Sequence, residues 1–338
     1  MNANPRKNRI SVALCTYNGE TFLPAQLASM QQQTRLPDEL IICDDCSTDN
    51  TIAVVRDFAA FAPFPVTIVE NTHTLGSTKN FEKAMQLCSG DLIALSDQDD
   101  LWRPDRLAHS ERELNDHPEA GLVFSDGEIM NEQGQPTGER MWPSAQFSPQ
   151  FALELLAGDY DLLFKYRFVT GATVMFRAPL RSACLPLPAQ WVHDEWLAAI
   201  VPALAEIRPI AEPLIFYRRH ASQQIGLSTV QVTKSSVKNH WNAVAAGEST
   251  NTYWNKLTHN INFARIVCDR LSALPLDERG HRVLARYQAW LRFASFRRNL
   301  PRNRILRIFP ILKRYPWYRQ QTFGLTSAVK DLIRSLPE

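Results

Sequence analysis

Nothing in the 338 residues of this chain approaches the run of about 18 apolar residues that a membrane-spanning helix needs. The opening stretch, Met1 to Arg9, is polar and basic with no adequate apolar segment behind it, so no secretory signal is expected and the expected location is cytoplasmic. Glycine-rich phosphate loops of the Walker or dinucleotide type are missing too, which excludes those two familiar ways of holding a nucleotide on a helix N-terminus. Cys43 and Cys46 form one Cys-x-x-Cys, but no second pair completes a zinc site, and the six cysteines read as reduced, mostly buried thiols. The last absence is of one sign of charge. Residues 279–330 contain 13 Lys or Arg and no acid, whereas residues 1–278 carry 33 acids against 23 Lys or Arg. A net charge of +2 conceals that division.

What is present is an ordinary globular composition, 45% hydrophobic and 21% charged, with room for one large domain or two. The first half alternates between strand and helix patterns. Apolar runs at Ile10 to Leu14, Leu40 to Cys43, Val66 to Val69 and Asp91 to Leu95 predict strands. Between them, Phe22 to Gln33, Thr51 to Phe61 and Asn80 to Cys88 have helical spacing, and Ser47-Thr48-Asp49 offers a helix cap. Such alternation predicts parallel βαβ units, whose ligands bind at the carboxyl ends of the strands.

Three polar clusters fall at those ends: Thr16-Tyr17-Asn18-Gly19, then Asp44-Asp45 with Ser47 and Asp49, then Ser96-Asp97-Gln98-Asp99-Asp100. The third is the most telling. Three carboxylates in four residues repel one another, and each costs free energy to desolvate, so a folded chain keeps them together mainly where a cation or a cationic ligand sits. Oxygen ligands with no His or Cys nearby in sequence suit Mg²⁺ or Mn²⁺ shared with substrate phosphates. A solvated acidic turn is the plainer alternative. Asp45 could likewise be a turn residue, and Asn18-Gly19 a tight turn.

Taken together and in order, these segments resemble the inverting family 2 glycosyltransferases with the GT-A nucleotide-sugar fold. The resemblance runs from Ile10 to Gly226. It is carried by Val12 to Gly19, Asp44 to Asp49, Ser96 to Trp102, Val169-Thr170-Gly171-Ala172-Thr173, His193-Asp194-Glu195-Trp196 and Tyr217-Arg218-Arg219-His220. It implies a Rossmann-like, mainly parallel sheet flanked by helices over residues 1–228; a helical, basic region over 229–338 is expected after it from composition alone. It further implies that Thr16, Asn18, Asp45 and Asp97 hold the nucleoside, that Asp99 and His220 hold Mg²⁺ or Mn²⁺, and that Asp194 takes the acceptor proton.

Gly171 would let the backbone approach the sugar or acceptor, or would mark a simple β-bulge. Arg218 and Arg219 could meet the diphosphate, since a guanidinium fork matches phosphate oxygens. His193, Asp194 and Glu195 could also be simple helix-capping residues. Processive relatives carry Gln-x-x-Arg-Trp beside membrane spans, and neither occurs here, so transfer of one sugar per encounter is expected.

The Asp-Gln-Asp-Asp, His-Asp-Glu-Trp and Tyr-Arg-Arg-His forms look most like bacterial rhamnosyltransferase-like enzymes of surface polysaccharide synthesis, which implies dTDP-rhamnose as donor and a glycan or polyprenyl-linked acceptor. A sugar nucleotidyltransferase is the rival enzyme, although Thr16 to Gly19 is not the Gly-rich, basic loop it would need. A non-catalytic nucleotide-sugar-binding protein is the rival outside catalysis.

The basic region lies beyond the resemblance. From Trp290 to Phe323 it interleaves cations with Leu291, Phe293, Phe296, Ile305, Leu306, Ile308, Phe309, Ile311, Leu312, Trp317 and Tyr318. That mixture suits an interfacial helix on anionic lipid at the inner face of a membrane; a basic cap on the catalytic domain is the alternative. No groove-reading motif accompanies the charge, and nucleic acid is not expected as a partner.

Overall fold

The computed structural model describes residues 7–145, 147–160, 163, 168–221, 223, 250–322 and 324–334. Gly226 and Phe323, the ends of two segments singled out above, lie outside the described residues, as do positions 230–249 of the basic region. The chain divides into two compact units, Met1–Thr229 and Val230–Glu338.

The first unit is built on one sheet. Its strands are β1 (Ile10–Thr16), β2 (Glu39–Asp44), β3 (Val66–Glu70), β4 (Leu92–Ser96), β5 (Leu101–Trp102), β6 (Ala120–Met130), β7 (Pro136–Arg140), β8 (Val174–Arg177) and β9 (Glu206–Arg218). They lie in the order β3-β2-β1-β4-β8-β6-β9-β5, with β7 paired to β6. Helices α1 (Leu23–Gln31), α2 (Thr51–Phe61), α3 (Ser77–Leu87) and α4 (Arg106–Asp116) fill the early connections.

Strands β1, β2, β3 and β4 are mutually parallel, as their alternation with helices predicts. Strands β1 and β4 are buried almost throughout because helices cover both faces, which is why they read as continuous apolar runs rather than alternating ones. Asn50, rather than the preceding Ser-Thr-Asp run, occupies the residue before α2, while the Asp49 carboxylate accepts the Thr51 N–H at 3.0 Å.

Strand direction in the second half positions the rest. Strand β8 is antiparallel to both β4 and β6, so β6 runs parallel to β4, and β9 runs parallel to β6. The reversed β8 is entered at the edge where β1, β2, β4 and β9 end. The turn Gly171–Thr173, a short 3-10 helix rather than a bulge, occupies that entrance. Strand β5 pairs antiparallel with the end of β9, Leu101 opposite Phe216, and so brings the acidic run just before it against the residues just after β9. The core beneath is made by Ile10, Val12, Leu14, Leu40, Ile42, Leu92, Ala94, Val123, Met175 and Leu214 with the inner faces of α1 and α4.

The second unit is helical. Helices Thr250–Ser272 and Glu278–Arg298 are followed by shorter ones at Ile308–Lys313, Tyr315–Gln321 and Leu325–Ile333. Phe293, Leu300, Ile311, Tyr318 and Ala328 form its core. Asp331, fully buried, accepts from Tyr253 at 2.6 Å, Tyr318 at 2.6 Å and Arg297 Nε at 2.7 Å, so the buried charge is paired and hydrogen-bonded. Among the described residues no helix is long and apolar enough to cross a membrane.

Candidate active site

The first two polar clusters are laced into one loop pair. Thr16 Oγ1 donates to Asp44 Oδ1 at 2.8 Å, Asp45 N to Thr16 O at 2.9 Å, and Asn18 N to Ser47 Oγ at 2.9 Å. The Asn18 side chain accepts the Thr48 N–H at 2.8 Å, and Asn18 itself sits at φ +47°, a left-handed conformation that Asn tolerates better than most residues. Gln98, from the third cluster, closes the group by accepting from Tyr17 N at 2.9 Å and donating to Tyr17 O at 3.0 Å. A side chain on Gly19 would collide with that Gln98 amide, so close approach explains this glycine.

Asp45 is buried and both of its oxygens are engaged. Asn71 Nδ2 and Leu75 N donate to Oδ1 at 2.9 and 2.7 Å, and Gly76 N to Oδ2 at 2.8 Å, so this carboxylate anchors the loop before α3.

The acids after β4 meet partners remote in sequence. His220 Nε2 lies 2.8 Å from Asp99 Oδ2, with its ring against Phe22 at 4.6 Å between centroids. Asp100 is buried and accepts the Arg218 N–H at 3.0 Å through Oδ1, while Oδ2 has no partner. Burial, followed by the charges of Asp99 and Asp194, pushes the Asp97 carboxyl up to about 8. Burial, again with neighbouring carboxylates, raises Asp100 well above the usual range.

The counter-charge is one that pattern reading missed. Arg106, the first residue of α4, is buried with its guanidinium 3.7 Å above the Trp102 ring. It donates to Leu95 O at 3.0 Å and to Ala172 O at 2.6 Å, bridging the end of β4 to the Gly171 turn. Burial lowers its pKa to about 9 while Asp100 and Asp97 pull it back up, so it is charged at neutral pH. The only cue in sequence was an arginine six residues after the acidic run, and nothing local distinguishes it from a surface arginine.

Asp194 lies in the first turn of the helix His193–Ile200. Its carboxylate accepts the Gly171 N–H at 2.9 Å through Oδ2 and the Glu195 N–H at 2.7 Å through Oδ1. His193 is buried, stacked on Phe81 at 3.8 Å, with neither ring nitrogen hydrogen-bonded. Burial lowers its pKa, against a smaller opposing effect from Asp194. A side chain on Gly171 would strike the His193 ring, which accounts for the glycine by contact.

The two arginines at the end of β9 separate. Arg218 turns inward: its Nε donates to Asp99 O and its Nη1 to Glu132 O, both at 2.8 Å, and the guanidinium stacks on Phe22 at 4.8 Å. Arg219 pairs with Glu139 at 2.8 Å through Nη1, and its buried Nη2 has no partner. Of the expected diphosphate pair, only Arg219 thus has an uncommitted buried donor.

Among the described residues no group of three or more His, Cys, Asp or Glu is arranged to hold a metal ion unaided. The Asp99–His220 pair nevertheless fits a shared ion. Neighbouring ligands of an octahedral ion bonded at about 2.0–2.1 Å stand about 2.9 Å apart, and such ions take only one or two protein ligands where substrate phosphates supply the others.

A model of glycosyl transferase family 2 matches residues 11–177. Through that segment the chain belongs to glycosyl transferase family 2. The match contains the three clusters and the Gly171 turn, whereas Asp194, Arg218, Arg219 and His220 lie beyond it.

The chain is 26% identical over 215 residues to an uncharacterized Mycobacterium tuberculosis protein, a stretch covering 63% of this chain and 59% of that one. It is 35% identical over 101 residues to the Shigella flexneri dTDP-rhamnosyl transferase RfbG, covering 29% and 35% of the two chains. These two matches span 59% and 35% of the relatives' own length. Among solved structures, S. aureus TarS 1–349 in complex with UDP-GlcNAc superposes with a TM-score of 0.57 at 17% identity, covering 97% of this chain and 82% of that one. The first unit has the GT-A fold, a mixed, mostly parallel sheet with flanking helices, and the helical second unit follows it in sequence.

Proposed function

We propose that this chain is a glycosyltransferase that moves one sugar from a nucleoside diphosphate sugar to a hydroxyl of a glycan or polyprenyl-linked acceptor, in a single displacement that inverts the anomeric carbon. The observation that carries the reading is the convergence of Asp194 with Asp97 and Asp99. Asp194, fixed by the Gly171 N–H at 2.9 Å, lies close enough for its charge to raise the proton affinity of Asp97, although nearly a hundred residues separate them. A base near acids suited to a donor diphosphate is what such a displacement requires.

In this reading the Asp194 carboxylate accepts the acceptor proton as the hydroxyl attacks. Its two backbone donors orient it and leave lone pairs on both oxygens for the incoming proton. Thr16, Asn18, Asp45 and Asp97 would hold the nucleoside, on loops set by the left-handed turn at Asn18 and by the backbone N–H groups that Asp45 binds. Arg219 Nη2 is the donor proposed for a diphosphate oxygen. Asp99 and His220 would hold Mg²⁺ or Mn²⁺, which when bound would neutralise charge on the leaving diphosphate. The RfbG match supports dTDP-rhamnose as the donor to try first. The basic second unit is proposed to face an anionic membrane from the cytoplasmic side.

The test is release of nucleoside diphosphate from UDP-, GDP- and dTDP-sugars with Mg²⁺ or Mn²⁺, with wild type beside Asp99→Ala and Asp194→Ala. Turnover of one donor, lost in both folded variants, is the expected result. If no donor binds or turns over, the donor-site assignment fails.

A further inference from the structure

We propose that the segment from Ile305 to Trp317 is a preformed membrane-docking ridge that seats the second unit on an anionic lipid surface. This deepens the membrane-facing reading above by naming the surface. A 3-10 turn, Ile305–Arg307, runs directly into the helix Ile308–Lys313. Ile305, Ile308, Phe309 and Leu312 then fall at i, i+3, i+4 and i+7, one face of a helix. In a surface helix of a water-soluble unit that face is turned to the core. Here it is turned out: Ile305 is 74% exposed, Phe309 72% and Leu312 65%, with Leu306 and Trp317 exposed beside them. The opposite face is buried through Arg307 and Ile311.

The ridge is rigidly mounted. Arg307, fully buried, donates to the carbonyls of Pro301 at 2.6 Å, Arg302 at 3.0 Å, Asp331 at 2.7 Å and Arg334 at 2.6 Å, tying the segment to the end of the helix Leu325–Ile333. An inside-out helix held by four bonds from one guanidinium to backbone carbonyls exposes its apolar side as its settled conformation. Exposed Leu325 and Ile333 lie outside this row.

Charge decides the occupant. Arg302, Arg304, Lys313 and Arg319 are exposed around the ridge, and no acid occurs between residues 279 and 330. An apolar protein partner would leave those cations to be desolvated, whereas anionic headgroups pair with them while the apolar row enters the acyl boundary.

The experiment is co-sedimentation of the full chain with phosphatidylcholine vesicles with or without phosphatidylglycerol. Alongside wild type run the double variants Phe309→Ser/Leu312→Ser and Arg302→Glu/Lys313→Glu. Wild type should pellet with the anionic vesicles and stay in solution with neutral ones. Binding should weaken at about 1 M salt, where the Debye length is about 3 Å. Each double variant should lower the partition coefficient at least about tenfold.

The ridge is overturned if wild type does not bind anionic vesicles, or if the Phe309→Ser/Leu312→Ser variant binds as well as wild type. It is also overturned if sedimentation velocity without lipid shows a dimer that this variant abolishes, or if RNA competes with the vesicles for the same residues. Thermal melting controls for folding. Nucleoside diphosphate release, measured without lipid, tests the transferase reading separately, so either proposal can fail alone.

Discussion

The two units treat buried charge in opposite ways. In the second, Asp331 is enclosed by Tyr253, Tyr318 and Arg297, each within hydrogen-bond reach, and its buried charge has a matched partner. In the first, Asp100 Oδ2, two nitrogens of Arg106, both ring nitrogens of His193 and Arg219 Nη2 are buried without partners, and every such atom among the described residues belongs to that unit. Buried polar groups in folded proteins are nearly always satisfied, so a concentration of exceptions calls for an explanation, and a ligand that completes them is one.

Several changes would break or sharpen that contrast. The largest effect is expected at Asp194. Asp194→Asn keeps the shape but removes the proposed base, and kcat should fall by about 10²- to 10⁴-fold with only a small drop in melting temperature, since the amide oxygen keeps one of the two backbone donors, measured by nucleoside diphosphate release and calorimetry. Next is Asp331→Ala. It strands the Arg297 guanidinium in the second unit and should cost about 3–5 kcal/mol in denaturant unfolding of that unit. If Asp331→Ala instead left stability unchanged, the structural reading of that network would be wrong.

Gly171→Ala is smaller. The new methyl meets the His193 ring, and overpacking of this kind costs about 1–3 kcal/mol. Because Gly171 N also holds Asp194, kcat should drop along with stability, a coupling that a purely structural glycine would not produce.

The smallest effect is a pH slope from His193. Burial lowers its folded pKa, so below the unfolded value of about 6.5 the unfolded chain binds the extra proton and stability falls as pH falls. Above that value the contribution is flat. His193→Gln should remove this part of the acid-side loss, read as a shallower dependence of melting temperature on pH between about 5 and 7.

The same comparison shows what each level of structure contributed. The alternation of apolar runs and helical periodicity is local, and it placed β1 to β4 and the helices between them within a few residues of where they lie. The polar clusters at those strand ends were legible for the same reason. Composition alone separated the acid-bearing and basic regions.

Partners within the site were not legible, since hydrogen-bond register and strand direction are non-local, and the side-chain pattern of a buried strand is alike whichever way it runs. The sequence could not say that β8 is reversed, which delivers the Gly171 N–H to Asp194, or that β5 pairs with β9, which sets His220 against Asp99 across 121 residues. Nor could it tell Arg218, turned inward onto backbone carbonyls, from Arg219, or find Arg106 beneath the acids. Residue type and periodicity determined which chemistry the chain carries and at which edge of the sheet. Tertiary pairing decided which groups face one another, because only closure of the whole sheet fixes distances between residues a hundred positions apart.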